Sequence, residues 1–195
     1  MTVNILQIDQ NILQSINGFF IGRNTALDAI FKFLAAYLIY ALPVILLLIW
    51  FLVKSRQKEM VLAMGSLLLA WLVLIKLILF NIWYRPRLNI ALLGGKELLF
   101  HRPDNSFPSD HAAVLFAITF TFYLLGWKKA ANWFLIYSVA IVASRVVVGV
   151  HYPLDVIAGA AVGLIAALII TSFKAPLTKY ITTPIINGLK YIHLA

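Results

Sequence analysis

The sequence lacks cysteine altogether, and it is poor in charge. Without cysteine, the chain has neither disulfides nor a thiol nucleophile nor a thiolate metal site. Charged residues fill only 12% of the 195 positions, about half the usual share for a soluble domain, whereas hydrophobic residues fill 63%. The N-terminus also lacks the basic start and the unbroken apolar core of a signal peptide. These shortages indicate an integral membrane protein in one domain.

Five apolar segments are long enough to cross a bilayer, which requires about 20 mainly apolar residues. They cover residues 30–53, 60–84, 109–126, 130–149 and 154–173. Ahead of them, apolar residues recur at the spacing of an amphipathic interfacial helix: Ile5, Ile8, Ile12, Ile16 and Phe19. The expected fold class is therefore all-α, a polytopic membrane helix bundle of about five transmembrane helices plus an N-terminal amphipathic helix. Its single domain would comprise an interfacial helix (1–25), a transmembrane core (26–174) and a cytoplasmic-side tail (175–195). Gly159 and Gly163 form a G-x-x-x-G motif that permits close packing of the last span within the chain.

The basic residues predict how the chain is oriented. Lysines and arginines follow the first, third and fifth spans: Lys54, Arg56, Lys58, Lys128, Lys129, Lys174, Lys179 and Lys190. With five spans these places share one side, which the positive-inside rule makes the cytoplasm. The net charge of +9 is then explained by anionic lipid, and a nucleic-acid partner is not expected. The 85–108 loop faces outward but is also basic, and a functional anion site there would explain this exception.

The stretch SRVVVGVHYPLDV, residues 144–156, places polar residues at the outer ends of two spans. His151 and Asp155 are four positions apart, so on a helix that begins near Pro153 they could share a face. The carboxylate would then fix the tautomer of the imidazole and make its other nitrogen a better nucleophile or base. Alternatively, Asp155 merely favours the helix N-terminus. Arg145 requires an anion near the end of its span, either Asp155 or a substrate phosphate.

The stretch FPSDH, residues 107–111, begins the third span. A helix can begin at Pro108 and Ser109, with Ser109 as its N-cap. The free N–H groups of its first turn would then form a phosphate-binding site, called the phosphate seat below. His111 would lie just inside, able to donate a proton. Arg85, followed by Pro86, ends the second span on the same face and supplies a donor fork, unless it is only a snorkelling interfacial arginine. Two histidines, two arginines and a helix N-terminus together predict an active site for phosphate chemistry.

These residues resemble the signature of the type-2 phosphatidate phosphatase superfamily of membrane lipid phosphatases, which also contains the vanadium haloperoxidases. The third part of that signature, S-R-x5-H-x3-D, is complete at residues 144–155. The second part appears as P-S-D-H at residues 108–111, where Asp110 stands in place of the family glycine. This form is similar to that of bacterial undecaprenyl-pyrophosphate phosphatases of the bacitracin-resistance type. The resemblance covers roughly residues 60–173.

The first part of the signature matches less well. It consists of a lysine that is followed, after six residues, by Arg-Pro. Lys76 precedes Arg85 by nine positions instead of seven, which puts the two about half a turn apart on a straight helix. Asn81, four positions before Arg85, shares its face and is the alternative donor. A second Arg-Pro, at residues 102–103, lies too close to Pro108 for the family arrangement.

The resemblance implies a mechanism without a metal or other cofactor. His151 attacks the terminal phosphorus to form a phosphohistidine, Asp155 orients it, and His111 protonates the leaving oxygen and then activates water. The phosphate would be held by the first-turn N–H groups and by side chains of a substrate-binding set: Arg85, Ser109, Arg145, Ser144, Lys76, Asn81 and Asp110. Within this set, the Asp110 carboxylate is expected to turn away from the phosphate towards a cation or water.

An outward-facing site requires a lipid that presents its phosphate at the outer leaflet. Undecaprenyl pyrophosphate is such a lipid, and its hydrolysis at the bacterial cell membrane would recycle the cell-wall lipid carrier. The alternative is phosphatidylglycerophosphate, phosphatidate or another lipid phosphate, because apolar pocket walls do not choose between a prenyl and an acyl tail. A second alternative is a transporter that binds the phosphate head group without cleaving it. The sequence leaves the oligomeric state open.

Overall fold

The computed structural model describes residues 4–87, 89–100 and 104–194, and its long elements are helices. The first four are α1 (Ile5–Phe20), α2 (Thr25–Ala36), α3 (Ala41–Leu52) and α4 (Gln57–Leu68). A π-helical stretch (Leu69–Leu79) joins α4 to the short α5 (Phe80–Ile82). After a loop come α6 (Asp110–Leu124), α7 (Lys128–Val147) and α8 (Pro153–Ser172). The chain continues through α9 (Lys174–Leu177), a second π-helical stretch (Thr178–Thr182) and α10 (Thr183–Tyr191).

The five predicted spans all correspond to helical segments, which confirms the all-α membrane bundle. Three segments are long and apolar enough to cross a bilayer on their own: Lys54–Ile82, Lys128–Val147 and Pro153–Ser172. A fourth crossing is formed if Thr25–Ala36 and Leu38–Leu52 count together, with a bend of 42° between them. The remaining predicted span is α6, which has 15 residues and is therefore only about 22 Å long.

The first predicted span, residues 30–53, is bent because of a proline. Pro43 lies in the first turn of α3 and has no N–H to donate to the Ile39 carbonyl, and in an unbroken helix its ring would crowd that carbonyl. The chain therefore makes a 3₁₀ turn at Leu38–Tyr40 before α3 begins. The bend brings Tyr37 to the wall of the cavity that contains the candidate site.

Two glycines allow α8 to lie against the backbone of α6. A Cβ on Gly159 would lie 2.3 Å from the Ser109 carbonyl oxygen, and one on Gly163 would lie 2.7 Å from the Ala113 carbonyl oxygen. Only residues without a side chain permit backbones to approach this closely. The Ser109 N–H also donates to the Asp155 carbonyl at 2.9 Å. The predicted G-x-x-x-G contact is thus made within the chain, and it ties the start of α6 to the start of α8.

The N-terminal helix α1 packs on the bundle by its polar face. Its buried residues recur every four positions: Asp9, Leu13 and Asn17. The Asn17 amide donates to the Val147 carbonyl at 3.0 Å, at the end of α7. The apolar residues on the other side are exposed, among them Ile5, Ile8, Ile12 and Phe19. The helix has the amphipathic pattern predicted for it, and its apolar face is available to lipid.

The bundle has two chemically different ends. At one end the Arg56 guanidinium lies 5.8 Å from the centre of the Trp127 ring, and the Trp50 indole N–H donates to the Leu194 carbonyl at 2.6 Å. The basic loops after α3 and α6 and the C-terminal segment therefore lie together. The candidate site residues Asp110 and His151 lie at the opposite end, where α6 and α8 begin.

Candidate active site

A cavity of about 590 Å³ opens at the end of the bundle where α6 and α8 begin. Its charged lining consists of four cations, Lys32, Lys76, Arg87 and Arg145, and three carboxylates, Glu97, Asp104 and Asp110, together with His111. Two of the carboxylates have a cation beside them: Asp104 pairs with Arg87, and Asp110 lies 4.0 Å from Lys76. Lys76, Arg87 and Arg145 nevertheless bring hydrogen-bond donors to the cavity that suit an anion.

Two extended segments bring the arginines of the 85–87 stretch to the site. Pro86 and Asn105 form an antiparallel β-bridge. The Asn105 side chain accepts the Arg85 N–H at 2.9 Å, and the Ser106 N–H donates to the Arg85 carbonyl at 2.8 Å. Alternate residues of an extended chain point to the same side, so Arg85 and Arg87 both face the site from this segment.

His151 lies in the turn between α7 and α8 and is only 1% exposed. Its Nδ1 lies 3.1 Å from the Ser106 carbonyl oxygen and 3.6 Å from the Asp155 carboxylate. A proton on Nδ1 is therefore donated to the carbonyl, which leaves Nε2 with its lone pair. The predicted hydrogen bond from His151 to Asp155 needs correction, because Ser106 supplies the nearer acceptor. Asp155 instead places negative charge behind the ring.

The surroundings of His151 favour its neutral form. Burial lowers the pKa of His151 well below its ordinary value, and the Arg145 and Arg87 guanidiniums lower that pKa further. Nη1 of Arg87 lies 3.2 Å from His151 Nε2 and 2.8 Å from the Val150 carbonyl oxygen, close enough to donate to both. A neutral imidazole with its proton on Nδ1 has a lone pair on Nε2, which accepts from Arg87 here and must leave that hydrogen bond before it can act as a nucleophile.

Arg85 lies beside the site, but its guanidinium is held by carboxylates. Nη1 donates to Asp155 at 2.9 Å, Nη2 donates to Asp9 at 2.7 Å, and the guanidinium carbon lies 3.6 Å from the centre of the Tyr152 ring. The donor fork predicted to bind phosphate is thus already occupied. Arg87, which no sequence motif singles out, lines the cavity, where its Nε donates to the Asp104 carboxylate. The second Arg-Pro, at residues 102–103, lies outside the described residues.

Arg145 and Ser144 are neighbours on α7 with different surroundings. Arg145 lines the cavity as predicted, and its Nη1 donates to the Ala35 carbonyl at 2.8 Å, which links α7 to α2. Ser144 is buried, and its hydroxyl donates to the Ala140 carbonyl of its own helix at 2.7 Å. The Ser144 hydroxyl, which was predicted to bind substrate, is thus engaged within its own helix, because a serine inside a helix commonly bonds back to the preceding turn.

Asp110 and His111 open α6 at the cavity. The Asp110 carboxylate accepts the His111 backbone N–H at 2.9 Å and lies 3.1 Å from His111 Nδ1, while its other oxygen lies 4.0 Å from Lys76 Nζ. Asp110 thus faces cations, as expected, but it lines the cavity instead of turning away from it. Ser109 is a buried cap whose hydroxyl accepts the Ala112 N–H at 3.4 Å. The predicted phosphate seat is partly blocked, since these two N–H groups already have acceptors.

Of the two candidates for the family lysine, Lys76 reaches the cavity and Asn81 does not. Lys76 lines the cavity, whereas the Asn81 amide is exposed and donates to the Leu77 carbonyl at 2.9 Å. The half-turn offset between Lys76 and Arg85 assumed a regular α-helix. The stretch Leu69–Leu79 is instead π-helical, and its i→i+5 hydrogen bonds change the rotation per residue.

Three of these side chains also have the spacing of metal ligands. Possible ligand atoms of Asp110, His111 and His151 lie within 4.8 Å of one another. However, Arg87 Nη1 lies 3.2 Å from His151 Nε2, so a fixed positive charge borders this position. Such surroundings disfavour a metal cation and suit the oxygens of a phosphoryl group.

The comparisons with known proteins agree with this geometry. The PAP2 superfamily pattern matches residues 81–179. The chain belongs to the PAP2 superfamily. This membership confirms the resemblance seen at residues 108–111 and 144–155, and it makes the protein a relative of lipid phosphatases. The matched segment includes the cavity residues Arg87, Asp110, His111 and Arg145. It does not include Lys32, Tyr37 and Lys76, which line the same cavity.

Among PAP2 proteins, the chain is similar to several named relatives. It is 34% identical over 156 residues to the bacitracin transport permease protein BcrC of Bacillus licheniformis, which covers 80% of this chain and 75% of that protein. It is 32% identical over 163 residues to the undecaprenyl-diphosphatase BcrC of Bacillus subtilis, with coverage of 82% and 81%. The crystal structure of Aquifex aeolicus LpxE superposes with a TM-score of 0.69 at 25% identity, covering 88% of this chain and 99% of that one.

Proposed function

We propose that this PAP2 protein hydrolyses undecaprenyl pyrophosphate to undecaprenyl phosphate and phosphate at the outer face of a bacterial cell membrane. The observation that carries the proposal is a buried His151 whose Nε2 lies 3.2 Å from the guanidinium of Arg87, at the edge of a cavity that Lys76, Arg87, His111 and Arg145 line. Similarity to an undecaprenyl-diphosphatase over most of the chain supports the choice of substrate.

In the first step His151 Nε2 attacks the terminal phosphorus. A nitrogen–phosphorus bond forms, the bridging phosphorus–oxygen bond breaks, and undecaprenyl phosphate leaves with a proton from His111. The positive charge that develops on the His151 ring is stabilised by the Ser106 carbonyl at 3.1 Å and by Asp155 at 3.6 Å. Both oxygens are already in place beside the ring, so no group has to move as this positive charge develops.

In the second step His111 accepts a proton from water, and the resulting hydroxide attacks the phosphohistidine to release phosphate. The same residue thus serves as acid and then as base. Asp110, 3.1 Å from His111 Nδ1, orients the ring and stabilises its protonated form. This arrangement gives Asp110 a part in the reaction that parallels the part of Asp155 behind His151, and it explains why a carboxylate is acceptable in an anion site.

Three cations hold the phosphoryl oxygens. Arg87 and Arg145 each present a planar guanidinium to the cavity, and Lys76 adds a point charge from the π-helical stretch. Phosphoryl transfer depends mainly on positioning and on stabilising charge at the equatorial oxygens. The Arg87–His151 contact also places the nucleophile and one oxygen ligand next to each other before substrate binds.

The alternatives keep the same cavity but change the substrate or the outcome. Phosphatidylglycerophosphate, phosphatidate and other lipid phosphates share the phosphomonoester or anhydride group that this site would attack. A transporter that binds the head group without cleavage is the second alternative, and the name of the Bacillus licheniformis relative favours it. Only cleavage requires a nucleophile with a free lone pair and an acid beside it.

Phosphate release by the purified protein separates these functions. We expect release from undecaprenyl pyrophosphate to exceed release from phosphatidylglycerophosphate and phosphatidate. His151→Ala should abolish release, and His193→Ala is the matched control because His193 lies in the C-terminal segment, far from the cavity. Substrate binding without release by the wild-type protein would favour transport. Release that persists in the His151 variant would refute the assigned nucleophile.

The covalent intermediate can be tested directly. With substrate labelled on the terminal phosphate, an acid-labile and alkali-stable label should appear on His151 in samples quenched during turnover. His193→Ala should label to the same extent as the wild type, and His151→Gln should not label. A wild-type protein that turns over without any protein-bound label under rapid quenching would refute the phosphohistidine step.

The orientation can be tested because the chain has no cysteine. Leu92, which is 82% exposed at the cavity end, and Ser55, exposed in the basic loop, are suitable positions for single cysteines. An impermeant maleimide should label Leu92→Cys in intact cells and Ser55→Cys only after permeabilisation. The reverse pattern would place the site on the cytoplasmic face and would remove the argument for an outer-leaflet substrate.

A further inference from the structure

The N-terminal helix α1 reaches the active site through one carboxylate. Asp9 is only 2% exposed. One of its oxygens accepts from Arg85 Nη2 at 2.7 Å, and the other accepts the Leu154 backbone N–H, in the first turn of α8, at 3.1 Å. Asp9 does not line the cavity. Any influence of Asp9 on the reaction must therefore pass through Arg85 or through the start of α8.

Arg85 joins Asp9 to the residue behind the nucleophile. One branch of its guanidinium binds Asp9, the other binds Asp155 at 2.9 Å, and the Tyr152 ring covers its face at 3.6 Å. Arg85 is 9% exposed, so water screens these charges only weakly. A guanidinium with one carboxylate is a neutral pair. With two carboxylates the trio Asp9–Arg85–Asp155 keeps a net charge of −1.

This remaining negative charge lies behind the ring that reacts. The Asp155 carboxylate is 3.6 Å from His151 Nδ1. When Nε2 bonds to phosphorus, the ring becomes positively charged, and a nearby negative charge stabilises that state more than the neutral starting state. Without Asp9, Arg85 would neutralise Asp155, and this differential stabilisation would be lost.

We propose that Asp9 is a positioning residue of the active site: it holds Arg85 and the first turn of α8, and it keeps Asp155 effectively anionic towards His151. The inference rests on the proposed phosphatase function. It assigns to α1, a helix that precedes every membrane span, a part in the chemistry. The PAP2 pattern, which begins at residue 81, does not include this helix.

The first test compares Asp9→Asn with Asp28→Asn. Asp28 is a matched control because it is 7% exposed, binds Lys96 Nζ at 2.8 Å and accepts the Gly22 N–H at 2.9 Å, yet touches no member of the trio. Both variants should lower the melting temperature. Asp9→Asn should lower kcat about tenfold, as couplings through packed networks do, with KM changed less than about twofold. Asp28→Asn should leave kcat within about twofold of wild type.

The second test is a double-mutant cycle with Arg85→Gln. Arg85→Gln removes the cation through which Asp9 acts on Asp155. Asp9→Asn should therefore lower kcat much less in the Arg85→Gln background than in the wild-type background. Additive losses, a wild-type kcat in Asp9→Asn, or an increase in KM alone would each overturn the positioning role. Phosphate release by the wild type in the same assay decides the proposed function separately.

Discussion

Substitution of Gly159 by alanine should damage catalysis although the residue touches no substrate. The added Cβ would lie 2.3 Å from the Ser109 carbonyl oxygen and 2.8 Å from the Ala112 Cβ, whereas ordinary contacts begin at about 3.4 Å. Relief of the first contact requires α6 and α8 to separate by about 1.1 Å, because a backbone oxygen has no rotamer by which to move away. Asp110 and His111 directly follow Ser109, so His111, the proposed acid, would move away from His151, the proposed nucleophile.

The expected size of this effect follows from the displacement. A misplacement of about 1 Å between reacting groups can reduce the rate about 100-fold, so we expect kcat/KM of Gly159→Ala to fall by about that factor. Overpacking should also cost about 1–3 kcal/mol of stability. The measurements are phosphate release from the preferred lipid and thermal unfolding in the same detergent.

Gly65→Ala is the matched control for this substitution. Gly65 also lies within a helix, α4, but an added Cβ there would meet only the end of the Ile170 side chain, at 3.6 Å. Alanine should therefore be tolerated, with a gain of about 0.5–1 kcal/mol from helix propensity. Our reasoning would be refuted if Gly159→Ala kept kcat/KM within twofold of Gly65→Ala, because the two backbones would then not fix the separation of the catalytic groups.

Three further predictions concern the cavity. Arg87→Gln should lower kcat about 100-fold or more. Loss of this positive charge also raises the pKa of His151, while Arg145, Asp110 and His111 remain around the ring. The acidic limb of the plot of kcat/KM against pH should therefore move to higher pH. Exposed Arg23→Gln should change neither, and an unmoved acidic limb in Arg87→Gln would contradict the electrostatic account. Lys76→Met should reduce kcat/KM about tenfold, the worth of one hydrogen bond to a charged group, and Asn81→Ala should not; equal losses would count against the cavity assignment. Ser144→Ala should keep kcat/KM within about twofold, since its hydroxyl bonds its own helix, and a large loss would restore Ser144 to the substrate-binding set.

The spans and several residues that the structure brings to the site could be predicted from the sequence because their signals are local. Apolar length identifies membrane helices, and the spacing of His151 and Asp155 identifies a histidine with a carboxylate behind it. The N-cap role of Ser109 is also local, and its hydroxyl does accept a first-turn N–H. Such features depend on a few neighbouring residues, so tertiary packing changed them little.

The partners of the arginines could not be predicted, because they depend on contacts between distant segments. The Arg-Pro motif drew attention to Arg85, yet Asp9 and Asp155 bind its guanidinium. Arg87 follows it by two positions in an extended segment, and this alternation is the signal that could have identified it. The bridge between Pro86 and Asn105 that makes the segment extended joins residues far apart in sequence.

The sequence predicted the wrong relative orientation of Lys76 and Arg85 at the second span for a different reason. A helical wheel assumes 3.6 residues per turn, and the sequence of Leu69–Leu79 contains no glycine or proline to announce a change. The π-helical turns became evident only in the structure, where Lys76 reaches the cavity. Pro43, by contrast, is a visible signal, and it accounts for the bend between α2 and α3.

The inward polar face of α1 has a practical consequence for shortened or tagged versions of the protein. A deletion that ends before α2 would leave every candidate membrane span intact, since the first begins at Thr25. Such a protein would insert and could be purified like the full chain, yet it would lack Asp9 and the Asn17 anchor to α7. Its lower activity could be mistaken for the wrong choice of substrate, so activity screens should keep α1 in place and leave its N-terminal side untagged.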